Sequence, residues 1–152
     1  MKQYDKLTFV SHSDTCRGPM AEALIQDKLL LEDILIDSKG MIVLFPEPVN
    51  QKEQEVLKER GISVETHEAA QLTADDFDER TLILTMEEGQ KTKLLDEYGE
   101  NALNVYTLAE YCGMSGDVYN PLGKDIPEYR HCLQILRELT AKTAAVIKEE
   151  NE

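Results

Sequence analysis

Tryptophan is absent from this 152-residue chain, and cysteine and histidine occur only three times each. Cys16, Cys112 and Cys132 are far apart and odd in number, which excludes a disulfide framework and fits reduced thiols in a cytosol. No Cys/His group has metal-ligand spacing, so neither a metal nor any other cofactor is expected. Long apolar runs are missing too. The longest, around residues 29–31 and 41–45, fall far short of the roughly 20 residues that cross a bilayer. Met1 leads into Lys-Gln-Tyr-Asp-Lys rather than an apolar signal segment. The expected location is the cytoplasm.

Cations are scarce: 16 Lys and Arg stand against 30 Asp and Glu, a net charge of −14. A surface this acidic repels nucleic acid and anionic membrane, and neither is an expected partner. An anion site must be built locally against that field, so a lone arginine in a loop becomes informative. Nothing in the sequence fixes the oligomeric state.

What is present reads as one α/β domain over residues 1–152. Apolar residues make up 41% and charged residues 30%, an ordinary globular balance. Residues 6–11 have the apolar and aromatic bulk of a strand. Pro19 suits a first helical turn, and Ala21, Leu24, Ile25 and Leu29 recur at helical spacing. Residues 34–36 predict a second strand, ended near Gly40. Asn50 caps a helix with Glu53 at its third position and Gly61 as its stop. Residues 62–66 read as extended, and Thr73 caps a short helix through Phe77. Residues 81–85 (Thr-Leu-Ile-Leu-Thr) are the clearest strand, apolar enough to be buried on both faces. A helix from 87 to 98 closes at Gly99, and residues 105–107 form the last strand. From 126 to 149, Tyr129, Cys132, Leu133, Leu136, Leu139, Thr143 and Ile147 make one helical stripe. Strands alternating with helices predict a parallel sheet of about four strands covered on both faces. Ligands of such sheets bind at the carboxyl ends of the strands, here the loops after the first and last strands.

The first loop, Ser11-His12-Ser13-Asp14-Thr15-Cys16-Arg17, joins a strand to a helix. Backbone N–H groups gathered in such a loop form a nest for an anion, and Arg17 adds charge and a forked geometry suited to phosphate. An ordinary polar turn accounts for the spacing equally well.

Residues 9–24 (Phe-Val-Ser-His-Ser-Asp-Thr-Cys-Arg-Gly-Pro-Met-Ala-Glu-Ala-Leu) carry more than spacing. They resemble the signature of low-molecular-weight protein tyrosine phosphatases, Val-Cys-x-Gly-Asn-x-Cys-Arg-Ser-Pro-Met-Ala-Glu. The resemblance continues through residues 37–40, 71–73, 82–86 and 105–108. It ends at 116–123 (Gly-Asp-Val-Tyr-Asn-Pro-Leu-Gly), which is similar to the family's Asp-Pro-aromatic-Gly loop. Thr15 and the 105–111 stretch look most like the bacterial protein arginine phosphatases. The resemblance implies that a loop cysteine attacks phosphorus, that an aspartic acid on the later loop protonates the leaving group, and that the ligand is phosphate or a phosphorylated protein side chain.

Both catalytic positions depart from that pattern. Ser11 stands at the nucleophile position and Asn120 at that of the general acid. A thiol near 8.5 is brought to roughly 3.5–7.5 by a nest and a cation. An alcohol starts nearer water's ~15.7 and normally needs a base. An amide cannot act as the acid. Gly18 replaces a serine that supports the thiolate, Asp14 replaces a bracing asparagine and sets a negative charge beside the anion, and Ser13 replaces a glycine. Leu122 replaces an aromatic residue at the cleft. Arg17, Thr15, Cys16, Pro19 and Glu22 remain. Cys16 is expected to face away from the loop centre, His12 to be exposed or to pack on the loop, and Asp117 to orient or cap the later loop. His67 reads as a packing or hydrogen-bonding residue, and Tyr111, Tyr119 and Tyr129 as core rather than cleft. Cys→Ser and Asp→Asn are also changes made to trap a substrate, but His12, Ser13, Asp14, Gly18 and Leu122 point to natural divergence. The expectation is a pseudophosphatase binding phosphate or a phosphorylated side chain at residues 11–17. A low-activity tyrosine or arginine phosphatase and a scaffold without an anion site are the alternatives.

Overall fold

In the computed structural model, which describes residues 3–152, β1 (Lys6–Ser11) and β3 (Thr81–Thr85) lie side by side at the centre of a four-stranded parallel sheet. The order is β2-β1-β3-β4, with β2 at Leu35–Gly40 and β4 at Val105–Thr107. Successive strand residues point to opposite faces. Leu7, Phe9, Leu82 and Leu84 therefore join the larger core with residues of α1 (Arg17–Ile25), α2 (Gln51–Lys58) and α5 (Ile126–Glu150). Val10, Ile83 and Val105 pack on the other face with Leu94 of α3 (Glu88–Tyr98). The chain steps from β1 to β2 on one side and returns to β3 on the other. That reversal opens a crevice at the carboxyl ends of β1 and β3.

The expected stripe on α5 is buried throughout, from Tyr129 to Ile147. Asn50 Oδ1 accepts from Lys52 N and Glu53 N, as a cap should. Glu53 does not complete a capping box. Asn50 N donates instead to Thr15 O at 2.8 Å, tying α2 to the first loop.

Several boundaries differ from the sequence reading. β2 extends through the polar run 37–40, because an edge strand tolerates polar residues on its solvated face, and Thr8 Oγ1 donates to Asp37 Oδ1 at 2.6 Å. Residues 62–66 form no strand. Gly61 turns left-handed at φ 74° and Ile62 N returns to Leu57 O, so the segment only closes α2. A one-turn helix, α4 (Leu108–Tyr111), follows β4 directly, with Thr107 and Glu110 capping each other. α1 begins at Arg17, before the expected Gly18-Pro19 start.

Candidate anion site

Residues 11–17 leave β1 and turn into α1 with most of the loop's carbonyl groups already bonded. Ser11 O accepts from Met41 N, His12 O from Ile42 N, Thr15 O from Asn50 N and Cys16 O from Met20 N. His67 Nε2 lies 3.0 Å from Asp14 O. Among the described residues, no N–H of residues 12–17 donates to another protein group. Occupied carbonyls and unoccupied amides are what an anion nest requires. Ser13 Oγ and Thr15 Oγ1 are bonded at 2.8 Å, bracing the loop. Gln71 holds the neighbouring 41–43 segment, accepting from Val43 N and donating to Met41 O.

Arg17 is buried, and its Nη1 is already engaged: it donates to Val118 O at 2.9 Å and lies 2.7 Å from Glu87 Oε2. The forked guanidinium, read from the sequence as suited to phosphate, is thus anchored through Nη1, with Nε–H and the Nη2 hydrogens as its remaining donors. Glu87 follows β3 directly, so the loop after β3 contributes to the site as well as the two that sequence reasoning selected. The carboxyl end of β3 lies beside that of β1, so the same strand-end rule points to this loop.

The later loop is pinned beside the first. Val118 N donates to Met86 O, and Asp117 Oδ1 accepts from Glu88 N at 2.8 Å. Asp117 therefore caps α3 and is committed to that bond. Asn120 is exposed, and its Oδ1 accepts from Leu122 N at 3.2 Å. His12, Arg17, Glu87, Glu97, Lys93 and Asn120 share a cleft of about 480 Å³ with Met41 and Ile42. His12 is exposed at its edge. Among the described residues, no Phe, Tyr or Trp lines the cleft. Tyr129 is core, Tyr119 stacks edge-on against His131, Tyr111 donates to Glu150, and Leu122 packs on the core.

Ser11 is buried and its Oγ makes no hydrogen bond. Asp14 is also buried, in a left-handed conformation (φ 59°). Its Oδ2 accepts from Ala70 N at 3.0 Å and stands 3.4 Å from His67 Nε2. Burial disfavours the His67 imidazolium, but the Asp14 carboxylate and carbonyl, with Glu22, outweigh it and hold His67 above its ordinary value. Glu22 is raised, chiefly by burial, beside Ser38.

Cys16 points into the core, as expected. Burial, then the adjacent Glu53 carboxyl, pushes its thiol far up, so it stays protonated and inert. Burial also raises Glu53 well above the carboxylate range, and neither of its oxygens has a hydrogen bond of ordinary geometry. Sequence reasoning placed Glu53 as a cap and missed this buried acid. Cys132, on the same core face, is pushed up to about 12 by burial. Among the described residues, no group of three His, Cys, Asp or Glu could hold a metal. Among the described residues, no helix is long and apolar enough to cross a membrane.

The sequence profile described as low molecular weight phosphotyrosine protein phosphatase matches residues 6–152. Low molecular weight protein-tyrosine-phosphatase PtpB of Staphylococcus haemolyticus is 35% identical over 137 residues, covering 90% of this chain and 96% of its own length. A protein-arginine-phosphatase of Geobacillus stearothermophilus is 30% identical over 146 residues, 95% and 97% of the two chains. Among solved structures, a Cys-to-Ser mutant of the YwlE arginine phosphatase with a phosphorylated active site serine superposes with a TM-score of 0.88. It shares 31% identity and covers 95% of this chain and 97% of its own.

Proposed function

Since the chain belongs to the low molecular weight phosphotyrosine protein phosphatase family, we propose that it binds phosphorylated protein side chains in the 11–17 loop with hydrolysis impaired. The carrying observation is a loop whose N–H groups have no protein partner, set beside Arg17, with Ser11 and Asn120 at the two catalytic positions. Binding needs the nest and the cation, and both remain. Hydrolysis needs a nucleophile that is also a good leaving group, and an acid. Ser11 is a poor leaving group and Asn120 is no acid.

A serine at this position is still a competent acceptor. The YwlE mutant named above carries its phosphoryl group on such a serine. Ser11 is read accordingly as a phosphoryl acceptor that releases its group slowly or not at all. The cleft favours phosphoarginine over phosphotyrosine, because its lining offers the carboxylates of Glu87 and Glu97 and no Phe, Tyr or Trp ring for stacking.

Calorimetry with inorganic phosphate and with phosphoarginine and phosphotyrosine peptides tests this reading. Saturable binding that Arg17→Ala abolishes, with no phosphate release over many hours, is the expected result. Absence of binding at millimolar ligand would leave only the scaffold reading.

A further inference from the structure

Two buried oxygens beside Gly18 make no hydrogen bond: Ser11 Oγ and Asp14 Oδ1. Orphaned buried polar atoms are rare, and two beside one glycine call for a common cause. A Cβ on Gly18 would stand 2.9 Å from Ser11 Oγ, 3.4 Å from Asp14 Oδ1 and 3.4 Å from Ser38 Cβ. The glycine thus leaves one small polar space bordered by the acceptor hydroxyl and by a carboxylate. Asp14 is held rigidly there. Its other oxygen is bonded to Ala70 N and lies near His67, which leaves Oδ1 without a protein partner on the side of Gly18 that Ser11 Oγ also borders.

We infer that Asp14 is the base for Ser11, taking the hydroxyl proton on Oδ1 across the space beside Gly18. A turn of the Ser11 side chain completes the path. The inference rests on the reading of Ser11 as phosphoryl acceptor. It also gives three departures from the family pattern one purpose. A thiolate needs no base, and a carboxylate beside it is a hindrance. A hydroxyl does need one, and the aspartate of the kinase catalytic loop accepts a hydroxyl proton during phosphoryl transfer in this way. His67 sits against Oδ2 and, when protonated, offsets the Asp14 charge next to an incoming anion. Glu22 and Glu53 face the same carboxylate from α1 and α2 at longer range.

The step balances for an aryl phosphate. The Ser11 Oγ–P bond forms, the P–O(aryl) bond breaks with its electron pair leaving on the phenolate, and the Ser11 proton passes to Asp14 Oδ1. Asn120 has no proton to give, so a leaving group stable as an anion, such as nitrophenolate, departs unaided. The phosphoserine that results has an alkoxide as its own leaving group and persists, one phosphoryl group per chain.

The test incubates the protein with nitrophenyl phosphate and follows Ser11 phosphorylation by intact mass and peptide mapping, with phosphate binding measured in parallel. The wild type gains one group on Ser11. Asp14→Asn slows this by about 100-fold or more, the scale of lost base catalysis. It binds phosphate at least as tightly, because its amide oxygen still accepts from Ala70 N and a negative charge is gone. Gly18→Ala fills the space and gives the same loss with binding retained. Phosphorylation at the wild-type rate in either variant overturns the assignment. So does loss of phosphate binding in Asp14→Asn, which would make the residue a brace. If the wild type binds phosphate but never phosphorylates Ser11, this inference fails alone; if it binds no phosphate, the proposed function fails too.

Discussion

Arg17 Nη1 lies 2.7 Å from Glu87 Oε2, so the site's one buried cation arrives already paired with a carboxylate. The pair orients the guanidinium and at the same time weakens the field an anion meets. Glu87 is partly exposed, with 34% of its side chain accessible, so solvent screens part of that opposition.

Glu87→Gln is expected to keep the orientation through its amide oxygen and to bind phosphate roughly fivefold more tightly. Removing one charge about 5 Å away at the near-aqueous dielectric of a solvent-accessible carboxylate is worth about 1 kcal/mol. Titration calorimetry at low ionic strength reads the change, and added salt should shrink it. Weaker binding in this variant would mean that the pair serves mainly to place Arg17.

Ligand preference is decided at the cleft. Lys93 and Glu97 flank it, and Met41 and Ile42 supply the apolar wall. A phosphoarginine peptide should bind more tightly than the matched phosphotyrosine peptide. Glu97→Gln should narrow the difference about threefold, the scale of one partly exposed charge contact. Competition binding with the two peptides measures this, and an unchanged ratio would remove Glu97 from the recognition.

The central fold was legible because its determinants are local: an apolar run for β3, a caps-and-stripe pattern for α5, and Asn50 at a helix start. The loop from Ser11 to Arg17 was legible for the same reason. The sequence did not expose what depends on contacts across the sheet. Asp14 reads as a charge beside the anion until the fold turns it to Ala70 and His67, more than 50 positions away. Glu87 reads as a helix start until β3 is placed next to β1. Glu53 has the spacing of a capping residue, yet Thr15 O takes the amide it would have bonded, and its carboxyl turns inward against Cys16.

That inward carboxyl makes a pH prediction. Burial raises Glu53 in the folded state, so folding favours its protonated form. The stabilisation is complete below the unfolded value of about 4.3 and is lost as pH rises through the folded value. Glu53→Gln removes this dependence. Relative to wild type, its urea midpoint should gain most at high pH, on the order of 1–3 kcal/mol, the usual cost of a buried polar group without partners. A constant difference between the two proteins from pH 5 to 9 would rule out a titrating Glu53.

Restoring the missing chemistry should require more than the two catalytic positions. Ser11→Cys with Asn120→Asp supplies a thiol and an acid, but the new thiol and Asp14 Oδ1 border the same side of Gly18. A carboxylate there disfavours the thiolate, by about one pKa unit or more, which is tenfold in the reactive form. The double variant is therefore expected to hydrolyse aryl phosphates slowly. Adding Asp14→Asn should raise its rate about tenfold or more and lower the pH midpoint of alkylation at position 11. The same substitution slows phosphorylation of Ser11 in the unaltered chain. One change thus acts in opposite directions on a thiol and on a hydroxyl. That reversal is what a base predicts and a structural brace does not. Initial rates with nitrophenyl phosphate and iodoacetamide alkylation across pH read both halves, and a fall in rate on adding Asp14→Asn to the double variant would contradict them.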